Sequence, residues 1–148
     1  MKYILSIFLS LFMLSVSADE ISLKWSITVT NLDTIKLIDG SQYRVNKAEG
    51  SWEDSKGYYG YLKCVGPIII DSKKNLTLDL ICEGYDNKED KFEINLKRSS
   101  IEDAGIGKAI YINGTGRYLD FINKDCTYAV NYLNSKVGFY QHLCKSKM

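Results

Sequence analysis

The 148-residue chain holds one proline, one histidine and two tryptophans, and several familiar chemistries have no foothold in it. No G-x-S-x-G elbow presents a nucleophilic serine, and Gly105-x-Gly107 and Gly114-x-Gly116 lack the flanking pattern of a phosphate loop. No C-x2-C pair supplies close-set zinc ligands, and no D-x-[DN]-x-[DN]-G loop supplies a calcium cage. No catalytic residue, metal or cofactor is therefore expected. With one proline and no low-complexity stretch, nothing divides the chain into two domains. An excess of one charge is missing too: leaving out Lys2, 18 basic residues face 18 acidic ones. Such a chain draws no polyanion over distance, which excludes nucleic acid as the expected partner.

Only one long apolar run exists, and it lies at the N-terminus. Lys2 precedes Ile4–Leu14, and Val16-Ser17-Ala18 offers a small residue ahead of Asp19-Glu20. This is the pattern of a secretory signal peptide over 1–18, with 19–148 as one mature domain. The run is too short for a span, and no later segment approaches about 18 uninterrupted apolar residues. The expectation is an exported protein, periplasmic or extracellular, with no transmembrane segment in the mature chain and no lipobox cysteine.

Four cysteines remain, at 64, 82, 126 and 144, in two pairs of equal spacing. The first pair centres on Lys73 in the polar stretch Asp71–Asn75, the second on Ser135 in Asn134-Ser135-Lys136. Residues equidistant from a hairpin turn face each other, so Cys64 should meet Cys82 and Cys126 should meet Cys144. An even count in an exported chain favours bridges, each contributing about 3 kcal/mol in the chain-entropy model.

The rest reads with a period of two. Ile21, Leu23, Trp25, Ile27 and Val29 alternate with polar residues, as do Leu76, Leu78, Leu80 and Cys82, and Phe92, Ile94 and Leu96. A separate short run covers Thr34–Ile38, and Gly50 suggests a bulge in a strand over Gln42–Trp52. Further strands are expected over Tyr58–Ile70, Gly107–Ile112, Cys126–Tyr132 and Val137–Cys144. The Gly66-Pro67 pair should interrupt pairing on one side. Ser99–Ala104, with its S-x-x-E spacing, is the one candidate helical turn. The fold class is all-β: a single antiparallel β-barrel of about eight strands, favoured over a sandwich because the strands follow one another as hairpins.

Gly57-Tyr58-Tyr59-Gly60 precedes Cys64-Val65-Gly66, and Gly105–Ala109 leads to Gly114-Thr115-Gly116-Arg117-Tyr118 and then Cys126-Thr127-Tyr128. A G-T-G-[RK]-[FY] turn after a glycine-rich strand resembles the allene oxide cyclase and dirigent β-barrels, including small exported bacterial members. The resemblance spans roughly Gly50 to Tyr132. It implies an eight-stranded barrel, and either cyclase chemistry or a barrel that orients a reactive intermediate. None of that family's catalytic motifs maps onto this chain.

His142 faces Tyr128 in the hairpin register, on the side that holds Cys126, Val130, Tyr132, Tyr140 and Cys144. Inside a barrel, a histidine ringed by tyrosines suits an oxygenated ligand; otherwise it is an ordinary edge or surface histidine. Trp52, Tyr59 and Tyr61, with Tyr58, form a second aromatic group suited to sugars or aromatics, or simply to strand packing. The carboxylates at Glu53-Asp54, Asp86, Glu89-Asp90 and Glu102-Asp103 read as solvated turn residues, and Asp79 and Glu83 as solvent-facing strand residues. The expected role is a non-enzymatic barrel, either structural or binding a small hydrophobic or aromatic ligand. The alternatives are a cyclase or isomerase of a lipid or phenolic intermediate, and a protein-interaction domain whose partner is unknown.

Overall fold

Alternation sends every second side chain to one face of a strand, and eight such strands curl until the first pairs with the last. The computed structural model describes residues 20–101 and 104–146, so the segment read as a signal peptide lies outside the described residues. The strands are β1 (Ile21–Lys36), β2 (Gln42–Asp54), β3 (Tyr59–Ile70), β4 (Leu76–Asp86), β5 (Lys91–Ser100), β6 (Gly105–Gly114), β7 (Lys124–Leu133) and β8 (Val137–Ser146). Each pairs antiparallel with its sequence neighbour, and β1 pairs with β8 to close the barrel. Closure covers most of the edge, leaving one side of the far half of β1 beyond Val29 and of β6 beyond Ala109 outside the β8 and β7 ladders.

β1 differs from its sequence reading. The run at Thr34–Ile38 is no separate strand: β1 continues to Lys36 through a register shift between Asn31 and Asp33. The extra residue hides the continuity, because it reverses the alternation midway. Gly50, by contrast, sits in unbroken register on both sides. It is no bulge; a Cβ there would collide with the backbone of Ser26 and Ile27. Gly66-Pro67 behaves as expected, remaining paired to β2 while the β3–β4 ladder skips both residues without changing register.

Three hairpin loops share one device. Asp54, Asp71 and Asp86 each accept, through Oδ1, the backbone N–H groups two and four residues on. The third and last residue of each loop, Gly57, Lys74 or Glu89, takes positive φ. These are three-residue hairpins in which the aspartate replaces backbone partners that the turn lacks. Two of the aspartates depart from the solvated reading: Asp86 is buried and the Asp54 side chain is 1% exposed. Asp79 and Glu83 do face solvent.

Both disulfides form as the spacing predicts, with Cα atoms 3.9 Å apart for Cys64–Cys82 and 4.1 Å for Cys126–Cys144. All four sulfurs lie inside the barrel, in a core filled by Trp25, Trp52, Phe92, Tyr128 and Tyr140 among others. Glycine makes room for these rings: a Cβ at Gly84 would strike Phe92, and one at Gly107 would strike Tyr128. Outside, Lys24, Lys63, Lys97 and Lys108 interrupt the wall at mid-strand, unlike the apolar belt of a lipid-embedded barrel. Among the described residues no helix is long and apolar enough to cross a membrane.

The helical expectation fell in the wrong place. Ser99 and Ser100 belong to β5, and 102–103 lie outside the described residues. Among the described residues the helical segment is instead a 3-10 helix, η1 (Gly116–Phe121), which begins inside the G-T-G-R-Y stretch read as a turn and runs three residues past it.

Candidate functional site

The two ends of the barrel are built differently. At one end η1 folds inward and buries Tyr118 and Phe121. Tyr118 packs 4.8 Å from Phe92 and 6.4 Å from Trp52, while Phe121 lies 4.9 Å from Tyr111. The Tyr118 hydroxyl donates to Asp86 Oδ2 at 3.1 Å. Arg117 reaches Asp54 Oδ2 at 2.6 Å, with its guanidinium 3.7 Å from the Tyr58 ring centre. Thr115 ties the segment to β5, donating its N–H to the Lys91 carbonyl and accepting the Lys91 N–H through Oγ1. This end is plugged.

Behind the plug lies His142, 1% exposed and clear of the surface. The edge or surface placement is thus overturned, while the register opposite Tyr128 is as expected. Trp25 meets the ring edge-on at 4.9 Å, and Tyr111 stacks at 5.9 Å. Nε2 lies 3.4 Å from Cys144 Sγ, and Nδ1 has no hydrogen-bond partner. Burial in this apolar surround pushes the imidazole pKa down to about 3, so the ring is neutral at ordinary pH. His142, Cys126 and Cys144 lie close enough to hold a metal, but both sulfurs are committed to their bridge. Burial likewise raises the tyrosines here, Tyr128 to about 12 and Tyr140 well above its ordinary value. None of these groups is poised to carry a proton near neutral pH.

The opposite end is a mouth. Register places Arg44 beside Ile68, Ile68 beside Leu78, and Leu78 beside Arg98, so two inward arginines flank an aliphatic pair along one row. Arg44 donates from Nε and Nη2 to Gln42 Oε1 at 3.1 and 2.8 Å. Arg98 is 4% exposed, and its Nε and Nη1 have no partner. Asn46 Oδ1 is also buried and unpartnered. With Tyr132 and Ser135 these residues line a cavity of about 100 Å³. The Tyr132 hydroxyl lies 3.1 Å from that of Tyr140, and the positive charge of Arg98 opposes the burial that raises Tyr128 and Tyr140. Cation, amide and hydroxyls thus converge on one small space whose remaining walls are the aliphatic Val29, Ile68 and Leu76.

The residues singled out from sequence divide among three places. Trp52, Tyr128 and His142 are enclosed in the packed interior. Tyr132 lines the mouth cavity. Tyr59 and Tyr61 point outward, away from Trp52, and border separate hollows of about 340 Å³ on the outer wall. The strand wall therefore separates the proposed aromatic group. Sequence reasoning missed Arg44, Asn46 and Arg98, although a signal existed. Continuing Phe92, Ile94, Leu96 by twos reaches Arg98, and stepping back from Trp52 and Ala48 reaches Asn46 and Arg44. Compared with known protein families, characterised proteins and solved structures, the chain matches none.

Proposed function

We propose that this protein is an exported, non-enzymatic ligand-binding barrel that takes its ligand at the open mouth. The observation that carries this reading is the end-to-end asymmetry: one end plugged by η1, the other opening onto a small cavity where Arg98, Arg44, Asn46 and Tyr132 meet the aliphatic Val29, Ile68 and Leu76. Two disulfides suit an oxidising compartment outside the cytoplasm, in keeping with the signal peptide read over 1–18. Among the described residues, His142 and the buried tyrosines are held away from proton transfer near neutral pH and all four cysteines are bridged, which argues for binding over turnover.

The resemblance to the allene oxide cyclase and dirigent barrels agrees with an eight-stranded barrel and also brings the rival reading, a cyclase or isomerase. That rival needs room for a whole lipid or phenolic molecule, and ligand pockets of that kind run to roughly 300–1,000 Å³. The mouth cavity is about 100 Å³, too small for such a molecule, and the hollows of about 340–440 Å³ lie on the outer wall, away from the barrel interior. A protein-interaction role draws support from the outward Ile106, Ile110 and Ile112 on β6, all exposed.

Native mass spectrometry of the protein taken from its own cells tests the proposal. A retained small-molecule mass is the expected result. A protein partner held in place of any small molecule would favour the interaction role, and turnover of lipid or phenolic intermediates would overturn the non-enzymatic one.

A further inference from the structure

From the Arg98 geometry we infer that the mouth is an oxyanion site, taking a carboxylate or phosphate group; this deepens the ligand-binding reading and rests on it. A guanidinium carries five donors in a rigid plane matched to two-oxygen acceptors. Arg98 is nine-tenths buried with two nitrogens unpartnered, and among the described residues no carboxylate is paired with it. Burying a full charge without a counter-charge is unfavourable, and a bound anion would remove that cost. A structural arginine in this fold has such a counter-charge, as Arg117 has in Asp54.

The surrounding groups fit the same chemistry. Arg44 brings a second positive charge from across the row, and Tyr132 supplies a hydroxyl. Asn46 lines the same space, and its amide can turn Nδ2 into the cavity, since oxygen and nitrogen of an amide exchange places by a simple flip. Size limits the ligand. About 100 Å³ is roughly the share of three waters, enough for a carboxylate or phosphate group and too little for a drug-sized body. Anything attached to the anion must therefore lie outside, where the β1–β2 hairpin exposes Ile35, Leu37 and Ile38. The shared chemistry is the oxyanion, borne either by a free small ion or by the head of an apolar-tailed molecule.

The test follows the arginine Nε–H signals of ¹⁵N-labelled protein during titration with acetate, inorganic phosphate, octanoate and neutral 1-octanol at constant ionic strength. The Arg98 signal should shift saturably with at least one anion and stay still with octanol. Arg98→Gln should abolish saturable binding. Arg44→Gln, a change at a less buried position, should weaken it by about tenfold while leaving the fold intact. Octanoate binding at least about tenfold tighter than acetate would assign the site to an amphiphile's head, and equal affinities would assign it to a free ion. The inference is overturned if none of the three anions shifts Arg98 saturably, or if Arg98→Gln binds them unchanged. A neutral ligand retained in native mass spectra beside a silent anion titration would sink the oxyanion site and leave the binding barrel standing. A bare protein that answers to no probe would sink both.

Discussion

Arg117 and Arg98 occupy opposite ends of one barrel, and among the described residues only Arg117 has a counter-charge. At the plugged end its guanidinium meets the Asp54 carboxylate at 2.6 Å and lies over Tyr58, so its charge is neutralised even though Nη1 finds no partner. At the mouth, Arg98 is buried more deeply than Arg117 and has no ion-pair partner among the described residues. The same side chain thus closes the fold in one place and, among the described residues, stands without a counter-charge in the other. A charge that the fold neutralises serves stability, and a charge that it leaves bare is available to a ligand.

Three measurements would break or sharpen that contrast. Asp54→Ala should do the most damage, because it strands Arg117 and removes the acceptor for the Lys56 and Tyr58 amides. A loss of about 3 kcal/mol is expected in urea unfolding, and a loss below about 1 kcal/mol would mean that the plug does not depend on its ion pair.

The second concerns the dry interior behind the plug. His142 is neutral in the fold, with its pKa held near about 3, whereas the unfolded chain takes up a proton below about pH 6.5. The unfolded state therefore binds more protons as pH falls, and stability falls with it. The expected decline is roughly 2 kcal/mol between about pH 7.5 and about pH 5, above the range where most carboxylates titrate. His142→Phe should flatten this part of the pH–stability curve. An unchanged slope in that variant would show that the interior admits enough water to solvate an imidazolium.

The smallest expected effect has the opposite sign. Arg98→Met removes a buried charge that has no ion-pair partner among the described residues and keeps most of its volume, so the unliganded protein should gain about 1 kcal/mol in urea unfolding. A clear loss would mean that Arg98 belongs to the structural framework after all, like Arg117.

Much of the fold was legible because its signals are local. Alternation from Ile21 to Val29 and from Leu76 to Cys82 marks half-buried strands, and the equal cysteine spacings work because a regular hairpin conserves the sum of partner positions. Legibility failed where one residue breaks the period, as at the Asn31–Asp33 shift, and where a short helix begins in a glycine-rich stretch. The D-[SN]-K start shared by the three aspartate loops was present in the sequence, but its meaning depends on amides two and four residues on. The mouth was harder still. Arg98 reads as one more charged residue in a polar strand, and its burial follows only from counting parity through Leu96 into a closed barrel. His142 and Tyr128 were correctly set face to face, but no pattern tells whether that face meets solvent, ligand or packed rings.

The location of the two disulfides sets an order of events during maturation. Cys82 and Cys144 are wholly shielded inside the closed wall, and Cys64 and Cys126 nearly so. An oxidant or exchange partner must approach a sulfur directly, so both bridges have to form while the β3–β4 and β7–β8 hairpins are still open to their surroundings. Only afterwards can β1, made first, meet β8, made last, and seal the seam. A chain that sealed early would trap four thiols out of reach. Conversely, a finished barrel hides its covalent links from reductants until a seam between strands reopens, and the β6–β7 ladder, with five paired positions against eight in β1–β8, is the shortest such seam.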